Sequence, residues 1–302
     1  MLLLGGCTPN YNNSSTRILM DTVVNIEADA EQSVINEAMA ICEMQEKLFS
    51  RTLEGSEVSR LNNSETFAVS QKTREIIETS LVYSEKTNGA FDITIGAVSS
   101  LWDFSGGVVA NQDEIKKNLP LVDYKKIEIN EDKVNLNGAK IDLGGCAKGY
   151  ATDEIRDFLR AKDVKNAVIN LGGNLYILGD KQDIGIRNPF GEGSIATLRV
   201  GDAAVVTAGT YERCFTENGK TYHHILNTKT GEPIETDLVS VTVISEDATD
   251  ADILSTSLIC MGLRDGLNFI EKTEGIEALF ITTDGEIHIS SGIYCKDGIY
   301  RL

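Results

Sequence analysis

Apolar and polar positions along this chain change period several times, and each change predicts an element. Residues 17–29 alternate every second position, with Ile18, Met20, Val23 and Ile26 apolar, which predicts a strand. From residue 31 to 49 the spacing lengthens to that of a helix, with Ile35, Ala38, Met39, Cys42 and Phe49 on one side. Residues 50–63 are irregular. Ser70 then opens a helix that runs to Lys86 and stops at Asn88-Gly89. Three short strands are expected between 124 and 143, with a turn at Asn137-Gly138, followed by a helix marked by Ala151, Ile155, Phe158 and Leu159. A strand-rich stretch covers 166–208, and Asn218-Gly219 makes a hairpin. A β-branched strand at 238–245, helices at 250–261 and 264–272, and two strands around Asp284-Gly285 close the chain. Helices packed among mostly antiparallel strands predict an α+β protein, bilobal, with one continuous catalytic unit over residues 17–302.

Two segments carry candidate chemistry. Asp142-Leu-Gly-Gly-Cys-Ala-Lys-Gly-Tyr150 reads as a strand, a glycine pair and a helix start. Gly144 and Gly145 let backbone approach a phosphate, and the first helical turn presents unpaired N–H groups and a positive dipole end. Lys148 lies in that turn, where a cation gains nothing from the dipole, so an anion is expected beside it. Farther on, Asp252 and Thr256 stand one helical turn apart. A carboxylate and a hydroxyl on one face are hard oxygen donors of the kind magnesium takes while also holding phosphates. Taken singly, a glycine pair before a helix is often only tight packing, and an Asp four before a Thr arises by chance. Together they point to metal-assisted phosphoryl chemistry.

Charge narrows the partners. The chain has 302 residues and a formal charge of −18, with no basic block. Such a field repels nucleic acid and anionic membrane surfaces, so neither is expected as a partner. The opening Met1-Leu-Leu-Leu-Gly-Gly-Cys7 lacks a cationic start, yet an aliphatic run ending in small residues before a cysteine is similar to a bacterial lipobox. Residues 1–16 then read as a truncated lipoprotein signal and polar tether. Membrane attachment is expected only through a lipid on Cys7, with an extracytoplasmic location. Of the other cysteines, Cys42, Cys146 and Cys260 read as small buried hydrophobes.

The segments form an ordered set. Met20-Asp-Thr, Ser56-Glu-Val-Ser-Arg-Leu-Asn62, Gly89-Ala-Phe-Asp92, the Asp142–Tyr150 segment, Asn170-Leu-Gly-Gly-Asn174, Arg187-Asn-Pro189, Ala208-Gly-Thr-Tyr-Glu-Arg213, His224-Ile-Leu-Asn-Thr-Lys-Thr-Gly231 and Asp252-Ile-Leu-Ser-Thr256 follow one another across nearly the whole chain. In this order they resemble the ApbE family of FAD:protein FMN transferases, with its T-fold-like, bilobal architecture. The resemblance implies that FAD is a substrate and that its FMN half is attached through a phosphoester to a Thr or Ser of an exported acceptor, releasing AMP. It implies a magnesium ion, or manganese in its place, held by Asp252, Thr256 and the carbonyl of Gly145. It also implies FAD contacts from Met20, Ala90, Phe91, Asp92, Asp142, Lys148 and Ile225, with Thr52 as the residue over the flavin. Asp252, Lys148 and His224 are then the catalytic candidates, His224 as an acid/base or an acceptor-site group, with a carboxylate as the other candidate for the base. The segment before Lys229 reads Asn227-Thr228 where the family commonly has a Pro.

Two other readings remain open at this level. Water in place of the acceptor hydroxyl would make the chain an FAD pyrophosphatase. A flavin-binding surface lipoprotein without catalysis would not need the Asp252/Thr256 pair.

Overall fold

The computed structural model describes residues 3–4 and 11–302. Cys7, the expected lipid-anchor position, lies outside the described residues. Two compact units emerge, the first assembled from the chain up to Gln45, Lys148–Gly209 and Asp237–Leu302, the second from Glu46–Ala147 and Thr210–Thr236.

The first unit is built on an eight-stranded antiparallel sheet. Its strands lie in the order Ile287–Ile289, Glu277–Thr282, Leu238–Ser245, Ala203–Gly209, Asn174–Leu178, Ala167–Leu171, Thr22–Ala28 and Asn13–Leu19. One face packs against a smaller sheet containing Gln182–Arg187 and Ser194–Val200, and Leu175, Ile177, Ile184, Ile186, Leu198, Val205, Ile244 and Leu279 fill the layer between. The Ala248–Met261 helix packs on the opposite face.

Residues 17–29 are two strands rather than the expected one. Thr22–Ala28 returns along Asn13–Leu19, and both residues of the connecting turn, Met20 and Asp21, have positive φ (52° and 57°). That is the backbone of a tight type I′ hairpin, which sequence normally announces with Asn-Gly. Here no glycine marks it, and the alternation runs straight through. The tract read as a tether is structured from Asn13 onward, since Asn13–Thr16 pairs with Asn25–Ala28. Its side chains are polar because it is the edge strand and half of them face solvent, so no apolar period reveals it.

The second unit carries the Gln71–Lys86 helix, capped by the Ser70 hydroxyl and followed by left-handed Asn88 and Gly89 as the sequence predicts. A three-stranded sheet of Thr66–Ala68, Lys133–Asn135 and Glu128–Asn130 and a hairpin of Cys214–Glu217 with Lys220–His223 complete it. Trp102, Phe104, Phe215 and Tyr222 close an aromatic cluster under that hairpin, with ring centroids 5.3–6.2 Å apart.

The expected strand before the glycine pair is not a strand. Residues 140–143 are extended but pair with a side chain: the Asn62 amide donates to the Ile141 carbonyl at 2.8 Å and accepts from the Ile141 N–H at 2.7 Å. Asn62 thus does what a neighbouring strand would do, and the Asp142 N–H reaches the Ile93 carbonyl at 2.8 Å. Among the other cysteines, Cys42 and Cys146 are buried, Cys260 is half-buried, and Cys214 and Cys295 are exposed.

Candidate active site

In the first unit, two helices clasp each other through their carboxylates. The Ala147–Ala161 helix carries Lys148 at its second position, half-buried. Its next residue, Gly149, donates its N–H to Oδ2 of Asp252 at 2.9 Å. A side chain at Gly149 would place its Cβ 2.7 Å from the Thr249 Cα and still closer to the Ala248 carbonyl oxygen, so only glycine permits the approach. Asp153, one turn on, returns the contact. It accepts from the N–H groups of Ala248 and Thr249 at 2.8 Å each and from the Thr249 hydroxyl at 2.6 Å, satisfying the first turn of the Ala248–Met261 helix. Arg156, itself buried, braces Asp153 at 2.7 Å. Burial pushes the Asp153 carboxyl above its ordinary range, against the downward pull of Thr249 and Arg156.

This clasp fixes Asp252 in an unusual position. Its side chain belongs to a residue 5% exposed, the Gly149 N–H is the donor it meets, and no Lys, Arg or His pairs with it among the described residues. A buried carboxylate without a counter-charge is costly unless a cation joins it. Thr256 lies one turn along the same helix and is half-buried. These donors are hard oxygens, and they suit a magnesium-type cation better than a soft metal. Among the described residues no group of three or more His, Cys, Asp and Glu gathers in the manner of a zinc site.

Met20 also belongs to this unit, at the tip of the first hairpin with its sulfur 3.8 Å from Cys42 Sγ. The neighbouring tip, Gly172-Gly173, packs on it so tightly that a Cβ at Gly172 would stand 2.7 Å from the Thr22 Cβ. The Met20-Asp-Thr and Asn170–Asn174 motifs therefore adjoin.

In the second unit, Asp142 organises the glycine turn. Its Oδ1 accepts from the Gly144 N–H at 2.9 Å, while Oδ2 takes the Ser99 hydroxyl at 2.9 Å and the Arg51 guanidinium at 3.0 Å. Gly145 follows in the turn that leads to the helix. Thr52, next to Arg51, is exposed and its N–H donates to the Ser50 hydroxyl at 3.3 Å. Asp92 is buried and fully engaged: it accepts from the Thr94 N–H and hydroxyl and from the Tyr124 N–H. Desolvation nonetheless raises its pKa. Phe91 is buried, Ala90 half-buried. The Thr228 hydroxyl donates to the Gly89 carbonyl at 2.6 Å, tying the 224–231 segment to residues 89–92.

His224 is half-buried, with Nδ1 3.1 Å from the Glu212 carbonyl. A carbonyl can only accept, so Nδ1 carries the proton in this contact. Ile225 beside it is 4% exposed and its carbonyl accepts from the Ile234 N–H at 3.0 Å.

The sequence of the ApbE family matches residues 20–280. The chain belongs to the ApbE family. The FAD:protein FMN transferase of Klebsiella pneumoniae is 37% identical over 231 residues, covering 74% of this chain and 73% of that protein. The FAD:protein FMN transferase of Treponema pallidum is 31% identical, covering 86% of this chain and 80% of that protein. Among solved structures, the ApbE protein of Thermotoga maritima superposes with a TM-score of 0.86 at 32% identity, covering 93% of this chain and 97% of that one. The Vibrio cholerae flavin transferase ApbE gives 0.82 at 26% identity, covering 92% and 97%. The α+β, mostly antiparallel architecture expected from sequence is that of these ApbE structures.

Within this ApbE chain the candidate residues fall into two local groups. Met20, Lys148, Asp252 and Thr256 sit in the first unit; Thr52, Ala90, Phe91, Asp92, Asp142, Gly145, His224 and Ile225 sit in the second. Sequence reasoning missed Arg51, Asn62, Ser99 and Asp153. Arg51 stood in the tract searched for a flavin-covering residue, Asn62 lay inside a recognised motif without an assigned task, and Asp153 lay just beyond the Asp142–Tyr150 motif.

His223, adjacent to His224, gives the second unit a pH dependence. It is buried, Nε2 lies 3.2 Å from the Ile234 carbonyl, and burial lowers its pKa below the ordinary 6.5. As pH falls through 6.5 the unfolded chain takes up a proton that the folded chain refuses, so stability declines until the lower folded value is passed. Between pH 7.5 and 5.5 the melting temperature should drop in the wild type and drop less in His223→Gln. Equal slopes in the two proteins would show that His223 does not carry the effect.

Proposed function

We infer that this chain is an FAD:protein FMN transferase, the activity named for its relatives, transferring FMN from FAD to a Thr or Ser hydroxyl of an acceptor protein with release of AMP. The observation that carries the reading is the buried Asp252 carboxylate, held by a helix N-terminus and lacking a protein cation. Asp252 and Thr256 would hold a magnesium ion, with the Gly145 carbonyl as the third donor that the family resemblance implies; when bound, the ion neutralises charge developing on the diphosphate oxygens.

The chain's own residues supply the rest. Lys148 binds the anionic diphosphate and orients it. His224, protonated on Nδ1, receives the proton of the incoming hydroxyl on Nε2. The hydroxyl oxygen bonds to the FMN phosphorus as the bridging P–O bond to AMP breaks. The buried setting of Asp252 strengthens each of its electrostatic contacts. The deciding experiment incubates the protein with FAD, magnesium and an exported candidate acceptor, then reads the acceptor's mass. A gain of one FMN with equimolar AMP supports transfer; steady AMP release without acceptor and without mass gain would make the chain a pyrophosphatase instead.

Lys148→Met should weaken FAD binding by about 10-fold or more, as loss of a charge-assisted contact of roughly 1.5–3 kcal/mol implies. The apo melting temperature should stay unchanged. Unaltered FAD affinity with a lowered melting temperature would reduce Lys148 to a structural ion-pair partner. Cys7 would carry the lipid anchor and place the enzyme outside the cytoplasm. In the native host Cys7→Ser protein should move from the membrane to the soluble fraction, and continued sedimentation with membranes would refute the anchor.

A further inference from the structure

Asn174 ends the Asn170-Leu-Gly-Gly-Asn174 motif and is wholly buried, yet neither Oδ1 nor Nδ2 has a hydrogen-bond partner among the described residues. Its strand neighbours offer none, since it stands opposite Leu171 and Val206, and Val206 stands opposite Val243. Leu175 and Ile177 of the same strand point into the layer between the two sheets, so Asn174 and Tyr176 point to the other face. There Tyr176 lies under Arg156, with the guanidinium carbon 5.3 Å from the ring centre.

Two independent paths give the height of Asn174 on that face. The Ala147–Ala161 helix ends close before Ala167, and Ala167 pairs with Leu178 at the far end of the Asn174 strand. Asn174 is two residues before Tyr176, about 6.6 Å along the strand, close to the roughly 6.0 Å that four helical residues rise. One turn before Arg156 stands Thr152. From the other side, Val206 and Val243 mark the level of Asn174, two residues before Ser245, where the chain turns into the Ala248–Met261 helix. Four residues down that helix, about 6.0 Å of rise, is Asp252. Thr152 is also wholly buried with an unpartnered hydroxyl, and Asp252 is hydrogen-bonded to Gly149 across the same pair of helices.

A buried amide with both ends unsatisfied is costly, and an apolar residue of the same size would remove the cost. The cost is explained if the amide serves the site. We propose that Asn174 and Thr152 form a polar floor beneath Asp252, sharing one internal water that orients the Asp252 carboxylate toward its cation. The two orphan amide atoms, the Thr152 hydroxyl and the carboxylate supply the two to four polar partners that an internal water requires. Asn174 is thus a positioning residue, and the proposal rests on the reading of Asp252 as a cation ligand.

The test uses the full chain and manganese(II), whose binding is followed by electron paramagnetic resonance without FAD or turnover. Asn174→Leu should leave the metal-free melting temperature unchanged or higher while weakening manganese affinity about 10- to 100-fold, the usual effect of losing an outer partner of a metal ligand. Thr152→Val should weaken it in the same direction, and it decides the matter should Asn174→Leu fail to fold. Wild-type manganese affinity in the folded variants overturns the proposal. Asp252→Asn separates the two layers: if it too binds manganese normally, the cation reading of Asp252 fails, whereas if it alone loses binding, only the role of Asn174 fails.

Discussion

Asp252→Asn should reduce FAD cleavage by about 10³-fold or more and leave the metal-free protein as stable as the wild type or more so. The amide oxygen still accepts from the Gly149 N–H, so the clasp between the two helices survives. What disappears is the charge. A hard cation loses its one carboxylate, and with it several kcal/mol of transition-state stabilisation, each 1.4 kcal/mol being tenfold in rate. Meanwhile a buried carboxylate without a protein counter-charge has been neutralised, which relieves the apo fold. Opposite movements of activity and melting temperature are the signature. Near wild-type turnover at low magnesium, or a large fall in apo stability, would remove Asp252 from the reaction.

The second large effect is structural in origin. Asp153→Ala strips four hydrogen bonds at once, two from backbone N–H groups at the start of the Ala248–Met261 helix, one from Thr249 and one from Arg156. Arg156 retains Asp157 and Asp247, but it is buried and loses its best-placed partner. Breaking a buried pair typically costs about 3–5 kcal/mol. At roughly 2–4 °C per kcal/mol for a chain of this class, the melting temperature should fall by about 10 °C. Because the same residue seats the helix bearing Asp252, magnesium affinity should fall with it. A melting temperature within 2 °C of wild type, judged against that roughly 10 °C expectation, would show that the clasp contributes little.

Where one face of an element is apolar and its ends carry their usual signals, the sequence was readable. The Gln71–Lys86 helix, with Ser70 in front and Asn88-Gly89 behind, appears as expected, and so does the Asn218-Gly219 hairpin, whose two turn residues both have positive φ. The Met20-Asp21 turn was hidden because methionine rarely takes a left-handed backbone, and an edge strand with polar side chains has no apolar period to detect. Residues 140–143 look like a strand because they are extended and apolar, but they meet the Asn62 amide, the Ile93 carbonyl and a single bridge to Ile95, a partnership no periodicity can announce. Among the candidate site residues, the motifs named Asp252, Thr256, Lys148 and Asp142. The identity of their supports was out of reach, since Arg51 meets Asp142 and Asp153 meets Thr249 only through tertiary folding.

The strand order of the large sheet has a consequence for how the chain is made. Thr22–Ala28 emerges early from the ribosome, but its inner neighbour, Ala167–Leu171, arrives only after the whole first segment of the second unit has been synthesised. Until then the early hairpin has an open inner edge and an uncovered apolar face, the state in which nascent strands pair with the wrong partner. Long-range closure of this kind is intrinsically slow and leaves the unpaired edge exposed to aggregation until it is complete. The large sheet is therefore complete only once its later strands, Ala203–Gly209, Leu238–Ser245 and Glu277–Thr282, have been delivered.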